Sequence, residues 1–129
     1  MNTLEILKKD YTFFPMNQTY TIYADKVHFK DPLTEFYGIE RYKKMIAFMS
    51  HWFQEIKMDL HQIKQEDDLI ETIWTLYWKS PLPWRPQIAI SGRSELRVNP
   101  EGLIISHYDY WDISGWNVLK QHFFPKADH

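Results

Sequence analysis

His107, Asp109 and Trp111 recur two apart along Leu103-Ile104-Ile105-Ser106-His107-Tyr108-Asp109-Tyr110-Trp111-Asp112. Successive side chains of an extended chain point to opposite faces, so one face carries Leu103, Ile105, His107, Asp109 and Trp111 and the other Ile104, Ser106, Tyr108, Tyr110 and Asp112. A continuous core does not require an imidazole and a carboxylate on its apolar face, because an unpaired buried charge is costly or shifts its pKa. A His-Asp pair there is a general base oriented by its neighbour, or a strong hydrogen-bonding site for a polar ligand group. The alternative is a pair that merely satisfies itself at a sheet edge, or a solvated strand end. Asp31, in Phe29-Lys30-Asp31-Pro32, is the second candidate: a hydrogen-bonding turn residue, or a carboxylate at the mouth of a cavity.

Other chemistry is poorly supported. His107 and Asp109 with His28 or Asp31 would make three metal ligands, but residues two apart on a strand lie about 6.5–7 Å apart and nothing specifies the third, so no metal or cofactor is expected. The chain has no glycine-rich phosphate loop, Gly-X-Ser-X-Gly elbow or His-Glu-X-X-His helix. Arg85, Arg93 and Arg97 are scattered and read as solvated or paired.

The elements that must position these residues follow from periodicity. Thr3 is expected to cap a first helix with Leu4, Leu7, Lys8 and Tyr11 on one face, ended by Phe14-Pro15. A short second helix is expected over 19–24, followed by an extended run from His28 into Pro32. After Gly38, Ile39, Tyr42, Met45, Ile46, Met49, Phe53 and Ile56 recur at helical spacing. From Lys57 the period drops towards two, giving strands at 57–65, 69–79, 87–98 and 103–112. Their connections are Glu66-Asp67-Asp68, the proline-rich stretch with Pro81, Pro83 and Pro86, and the turn Asn99-Pro100-Glu101-Gly102. Ser114 is expected to cap a last helix, Trp116 to Phe123, before Pro125 and a frayed tail. Helices followed by an antiparallel meander make an α+β order, with helices on one face of a curved sheet.

The 129 residues suffice for a single domain, 1–129. Zero Cys excludes disulfides and thiolate chemistry and fits a reducing compartment, and a formal charge of -2 gives no basic field for nucleic acid or anionic membrane. No stretch approaches the roughly 20 apolar residues of a membrane span, and the N-terminus lacks signal-peptide order, so a cytoplasmic location is expected. Six Trp, eight Tyr and eight Phe, 17% of the chain, form an aromatic excess that needs a use. Trp74 and Trp78, like Phe53, Met45 and Met49, read as core filler. Tyr108 and Tyr110, with Ile104, would supply an apolar outer patch for a homodimer or another partner.

The run Tyr23-Ala24-Asp25-Lys26-Val27-His28-Phe29-Lys30-Asp31-Pro32 before the Gly38 helix resembles the opening segment of the nuclear transport factor 2-like superfamily. The Leu82-Pro83-Trp84-Arg85-Pro86, Ser91-Gly92-Arg93-Ser94-Glu95-Leu96 and His107-X-Asp109-X-Trp111-Asp112 motifs closely resemble the domain of unknown function 2358, an uncharacterised branch of it. The resemblance spans nearly the whole chain and implies a cone-shaped α+β fold around an open-ended cavity. The superfamily includes ketosteroid isomerase and polyketide cyclases, so it implies a small organic ligand and cofactor-independent acid/base chemistry of the isomerase, cyclase or dehydratase kind. On the isomerase, its base falls on Asp31, its oxyanion Tyr on Leu7 with Tyr11 one turn away, and its oxyanion Asp on Ser94. Two of three catalytic identities are thus missing, which argues against steroid-type isomerisation. The isomerase's last-strand cavity positions fall on His107, Asp109 and Trp111. The resemblance thus implies Asp31, His107 and Asp109 as catalytic groups, Tyr11 and Ser94 as hydrogen-bond partners and Trp111 as a stacking wall. The rival reading is a non-catalytic interaction module that pairs through its outer sheet face.

Overall fold

The computed structural model describes residues 2–112 and 115–123. Asn2, rather than Thr3, caps helix α1 (Thr3–Phe13): its Oδ1 accepts a hydrogen bond from the Glu5 N–H at 2.9 Å. Thr3 occupies the first helical position, and its hydroxyl donates to the Gly102 carbonyl, tying α1 to the turn before the last strand. Leu7, Asp10 and Tyr11 face inward, and the helix stops ahead of the cis Phe14–Pro15 bond.

The expected second helix over 19–24 is a single 3-10 turn, Tyr20–Ile22, that leads directly into strand β1, Tyr23–Lys30. Tertiary pairing overrides the local signal. β1 bonds on one side to β2, Glu35–Tyr37, antiparallel, and on the other to β6, Ile104–Trp111, parallel, and it buries Tyr23, Val27 and Phe29. Helix α2, Ile39–Trp52, starts after Gly38, whose φ of +108° favours glycine, and buries Ile39, Tyr42 and Ile46. Phe53 and Ile56 lie beyond the helix, contrary to the periodicity. Phe53 turns extended, closes the last turn with its N–H on Met49 O, and stacks on Trp78 with ring centroids 5.0 Å apart.

Strands β3 (Gln54–Glu66), β4 (Leu69–Lys79) and β5 (Gln87–Val98) continue into β6 as the expected antiparallel meander. With β1 and β2 the sheet has six strands in the order β2-β1-β6-β5-β4-β3, and it is mixed because β1 and β6 run parallel. Period-two burial gives one inner face: Ile70, Thr72, Trp74, Leu76 and Trp78 from β4, and Ile88, Ile90, Gly92, Ser94 and Leu96 from β5. Fully buried Val27, Ile70, Ile88, Leu96 and Ile104 knit this layer, at about 1.5–3 kcal/mol of transfer free energy each.

The strict alternation expected along β6 breaks at its start. Val98 pairs with Ile104 and Arg97 with Ser106, so Ile105 is the extra residue of a bulge. Ile104 therefore lies in the core at 0% exposure and Ile105 outside at 43%, which removes Ile104 from the expected outer patch. Ahead of Gly92, the residue paired with Trp111, the first part of β5 (87–91) has no β6 partner among the described residues. Helix α3, Gly115–Phe123, covers that stretch: the Gln121 side chain accepts from Ala89 N and donates to Ala89 O, pairing an otherwise open edge. The expected Ser114 cap and the chain around Pro125 lie outside the described residues.

Candidate functional site

Beneath α1 and α2, the inner sheet face does not close on itself. A cavity of about 340 Å³ remains, and Asp31, His107, Asp109, Tyr11, Ser94 and Trp111 all line it. The parallel β1–β6 register explains how distant residues meet there. Phe29 pairs with His107 and Lys30 with Tyr108, so the chain carries Asp31 to the level of Asp109 as the two strands continue. On the other side Ser94 of β5 pairs with Asp109 and Leu96 with His107.

Around Asp109 the polar groups form one hydrogen-bonded chain. Asp109 Oδ1 lies 2.8 Å from His107 Nε2 and 2.5 Å from the Ser94 hydroxyl, which donates to it, and the Trp74 indole N–H donates to Ser94 Oγ at 2.8 Å. One carboxylate oxygen is thus held by two side chains, while Oδ2 takes no hydrogen bond among the described residues. His107 Nδ1 is the buried side-chain polar atom left without a partner among the described residues. The imidazole packs on Phe29, ring centroids 4.9 Å apart, with Tyr42 at 6.3 Å. A carboxylate on one edge and aromatic rings around the plane leave it little freedom to turn.

Asp31 is fixed differently. Its Oδ1 accepts the backbone N–H of Leu33 and of Thr34, both at 2.8 Å, which makes it the turn residue the sequence allows as well as a cavity-lining carboxylate. Burial pushes its carboxyl above the ordinary value. The two backbone donors oppose that shift, the negative charge of Asp109 adds to it, and His107 opposes it. A smaller recess of about 240 Å³, bounded by His28, Lys30, Pro32, Tyr108 and Tyr110, also touches Asp31 and Asp109. The two carboxyl groups therefore stand between an internal cavity and an outer cleft.

Three buried phenols complete the polar end. Tyr11 OH bonds to Thr72 Oγ1 at 2.9 Å, and Tyr23 and Tyr42 stand with ring centroids 5.4 Å apart. Burial raises all three hydroxyls well above their ordinary pKa, and the Asp109 charge adds to this, so each remains a neutral donor. Tyr23, Tyr42 and Trp74 are cavity-lining residues that the sequence did not mark as site residues, and Thr72 joins the site only through Tyr11. Tyr42 and Trp74 were legible as inward positions of their elements, but nothing in a period distinguishes a cavity wall from a core. The residues read as core, Met45, Met49, Phe53, Trp74 and Trp78, do belong to the hydrophobic core or pack against it, and they also line the cavity.

The wall is shaped by small residues opposite large ones. A Cβ on Gly92 would stand 2.4 Å from Tyr110 O and 3.1 Å from the Trp74 ring, so only glycine lets β6 and that indole approach together. Asp10, also on the wall, is spoken for: its carboxylate accepts the Thr19 N–H and hydroxyl, both at 2.9 Å. The scattered arginines are paired as expected: Arg97 with Asp68 at 3.0 Å, Arg93 with Glu95 at 3.4 Å, and Arg85 with the Gln54 carbonyl oxygen at 2.6 Å. Among the described residues no group of three metal-ligating side chains forms, and no helix is long and apolar enough to cross a membrane.

Comparison with solved structures gives the same architecture. A hypothetical protein with a ketosteroid isomerase-like fold from Catenulispora acidiphila, in complex with trimethylamine, superposes with a TM-score of 0.74 at 19% identity, covering 94% of each chain. An NTF2-like protein of unknown function from Exiguobacterium matches at 0.71 and 19% identity, over 88% of this chain and 100% of its own. An epoxide hydrolase of the LEH-like kind from M. tuberculosis matches at 0.72 and 12% identity, over 94% and 89%. At these identities the likeness shows the NTF2-like fold and nothing more about activity. No protein of curated function matches the sequence. The family itself is shown by a match over residues 1–107: the chain belongs to the family described as uncharacterized conserved protein DUF2358.

Proposed function

We propose that this protein binds a small, largely apolar organic molecule in its internal cavity and acts on it by cofactor-independent acid/base chemistry. The observation that carries this is the convergence of apolar walls on the Ser94–Asp109–His107 chain, with Asp31 alongside, in a space of about 340 Å³. That volume suits a small ligand. Asp109, its Oδ1 fixed and Oδ2 open, is the base of this reading, and His107 orients it. Asp31, with a raised pKa, is the group that exchanges the proton with the outer recess. Tyr11 and Ser94 donate hydrogen bonds, and Trp111 forms a stacking wall.

Native mass spectrometry of mildly washed protein tests the binding half. A small-molecule adduct is expected on the wild type and lost in Met49→Trp, whose indole fills the apolar end. Failure to detect an adduct, together with no difference between wild type and Met49→Trp in binding a hydrophobic dye, counts against it.

A second role is favoured by the outer sheet face, where Ile73 and Tyr110 are 44% and 40% exposed and Arg93 lies over the Tyr110 ring at 4.2 Å. We propose that this face, with Tyr108, pairs two copies of the chain. Tyr110→Glu is expected to halve the mass measured by light scattering after size-exclusion chromatography, and an unchanged mass would sink the pairing. The absence of Cys fits a reducing cytoplasm as the site of action.

A further inference from the structure

The charges around the cavity are one-sided. Among the described residues that line it, Asp10, Asp31 and Asp109 carry carboxylates, and there is no Lys or Arg. Asp10 is satisfied by Thr19, and His107, the one described lining side chain able to carry a positive charge, already spends Nε2 on Asp109. Asp31 and Asp109 each have one oxygen fixed, by two backbone N–H groups and by two side chains respectively. Each leaves the other oxygen without a hydrogen bond among the described residues. The fixed oxygens set the orientation of the free ones, which makes the pair a prepared acceptor and not a loose acidic patch.

The rest of the wall has the matching character. Tyr11, Tyr23, Tyr42, Trp74 and Trp111 line the same cavity as the carboxylates, and a cation desolvated among aromatic rings is attracted by their quadrupoles. An anionic ligand would add like charge to a low-dielectric space already holding two carboxylates. A neutral one would leave that pair uncompensated, whereas a cation offsets it directly.

Building on the cavity reading above, we infer that the occupant is a hydrophobic organic cation, a protonated or quaternary amine whose nitrogen lies at Asp31 and Asp109 and whose apolar body runs toward Met45, Met49 and Trp78. The test is tryptophan fluorescence titration with three benzyl probes: benzyltrimethylammonium, its uncharged carbon isostere neopentylbenzene, and the smaller anion phenylacetate. The cation should bind at least about tenfold more tightly than the isostere, with the anion weakest. Asp31→Asn and Asp109→Asn keep side-chain shape and should each bring the cation-to-isostere ratio down towards one, while Met49→Trp should weaken both probes equally. Equal or tighter binding of the isostere, lost in Met49→Trp, overturns the cation and leaves the cavity reading standing. Binding of none of the three overturns both. If a carboxamide variant does not fold, as read by its circular dichroism melt, the wild-type ratio alone decides.

Discussion

Two histidine–carboxylate pairs lie on opposite faces of the sheet, the inner one along β6 and the outer one across β1 and β2, and the inner one lines the internal cavity. Inside, His107 Nε2 meets Asp109 at 2.8 Å with side chains 10% and 28% exposed. Outside, His28 Nε2 meets Glu35 at 2.6 Å with 17% and 51%. The outer pair is in some respects better built: His28 also bonds Tyr108 OH through Nδ1 at 2.8 Å and stacks on Tyr37 with centroids 4.3 Å apart. Both ring nitrogens of His28 are satisfied, whereas His107 Nδ1 is buried and has no partner among the described residues. The difference teaches that pairing does not make a site. Water screens the outer pair and offers its acid alternative partners. The inner pair is less exposed and borders the cavity, so water screens it less.

The comparison can be broken most severely from the wall side. Gly92→Val would drive a branched side chain into Tyr110 O and the Trp74 ring, and the clash with backbone has no cheap relief. A loss of several kcal/mol is expected, beyond the usual overpacking range of about 1–3 kcal/mol, with collapse of the cooperative thermal transition. A cooperative melt close to wild type would show that β6 can move away, and hence that the inner wall is less rigid than this geometry implies.

Removing one acid from each pair sharpens the contrast. Asp109→Ala strands the Ser94 hydroxyl and the His107 Nε2 in the interior and should cost about 2–4 kcal/mol in chemical denaturation. Glu35→Ala removes a half-exposed partner and should cost no more than about 1 kcal/mol, less still at high salt. Equal costs would mean that the inner pair is solvated much like the outer one, and the distinction between the faces would fail.

How much of this was legible depends on the range of the interaction. The i, i+2 spacing of His107 and Asp109 is a local fact, and alternation alone put both on one face with Trp111. The meander β3–β6 and helix α2 were legible for the same reason, since each is written in a period within one segment. The His28–Glu35 pair was not, because it depends on β2, a three-residue strand too short to leave a pattern. The parallel β1–β6 pairing was not legible either. It joins residues about 80 apart, and the segment 19–24 carries a weak helical signal that only the completed sheet overrides. That pairing is what brings Asp31 beside Asp109, so the residues of the candidate site could be named before the geometry that unites them. The bulge at Ile105 was hidden in an unbroken apolar triplet, Leu103-Ile104-Ile105, in which a shift of one residue leaves hydrophobicity unchanged.

The smallest effect concerns Asp31 and asks whether the inner face carries a stability cost that the outer one lacks. Its folded-state pKa is raised, chiefly by burial, so the native protein holds that proton more tightly than the unfolded chain does. Ionised Asp31 therefore disfavours folding. The penalty is fully present above the folded pKa and disappears as pH falls through the unfolded value near 3.8. Asp31→Asn removes the charge but keeps an Oδ1 able to accept from Leu33 and Thr34 N–H, so the turn survives. At pH 7 the variant should be slightly more stable than wild type, by less than about 1 kcal/mol given the screening of a partly exposed group, and the two melting curves should converge below pH 4. Glu35→Gln, on the exposed pair, should show no such gain. A fall in stability for Asp31→Asn at pH 7 would mean that the carboxylate is there to hold the turn. A gain that disappears in acid is the mark of a charge kept at the native state's expense, as a residue retained for binding or proton transfer would be.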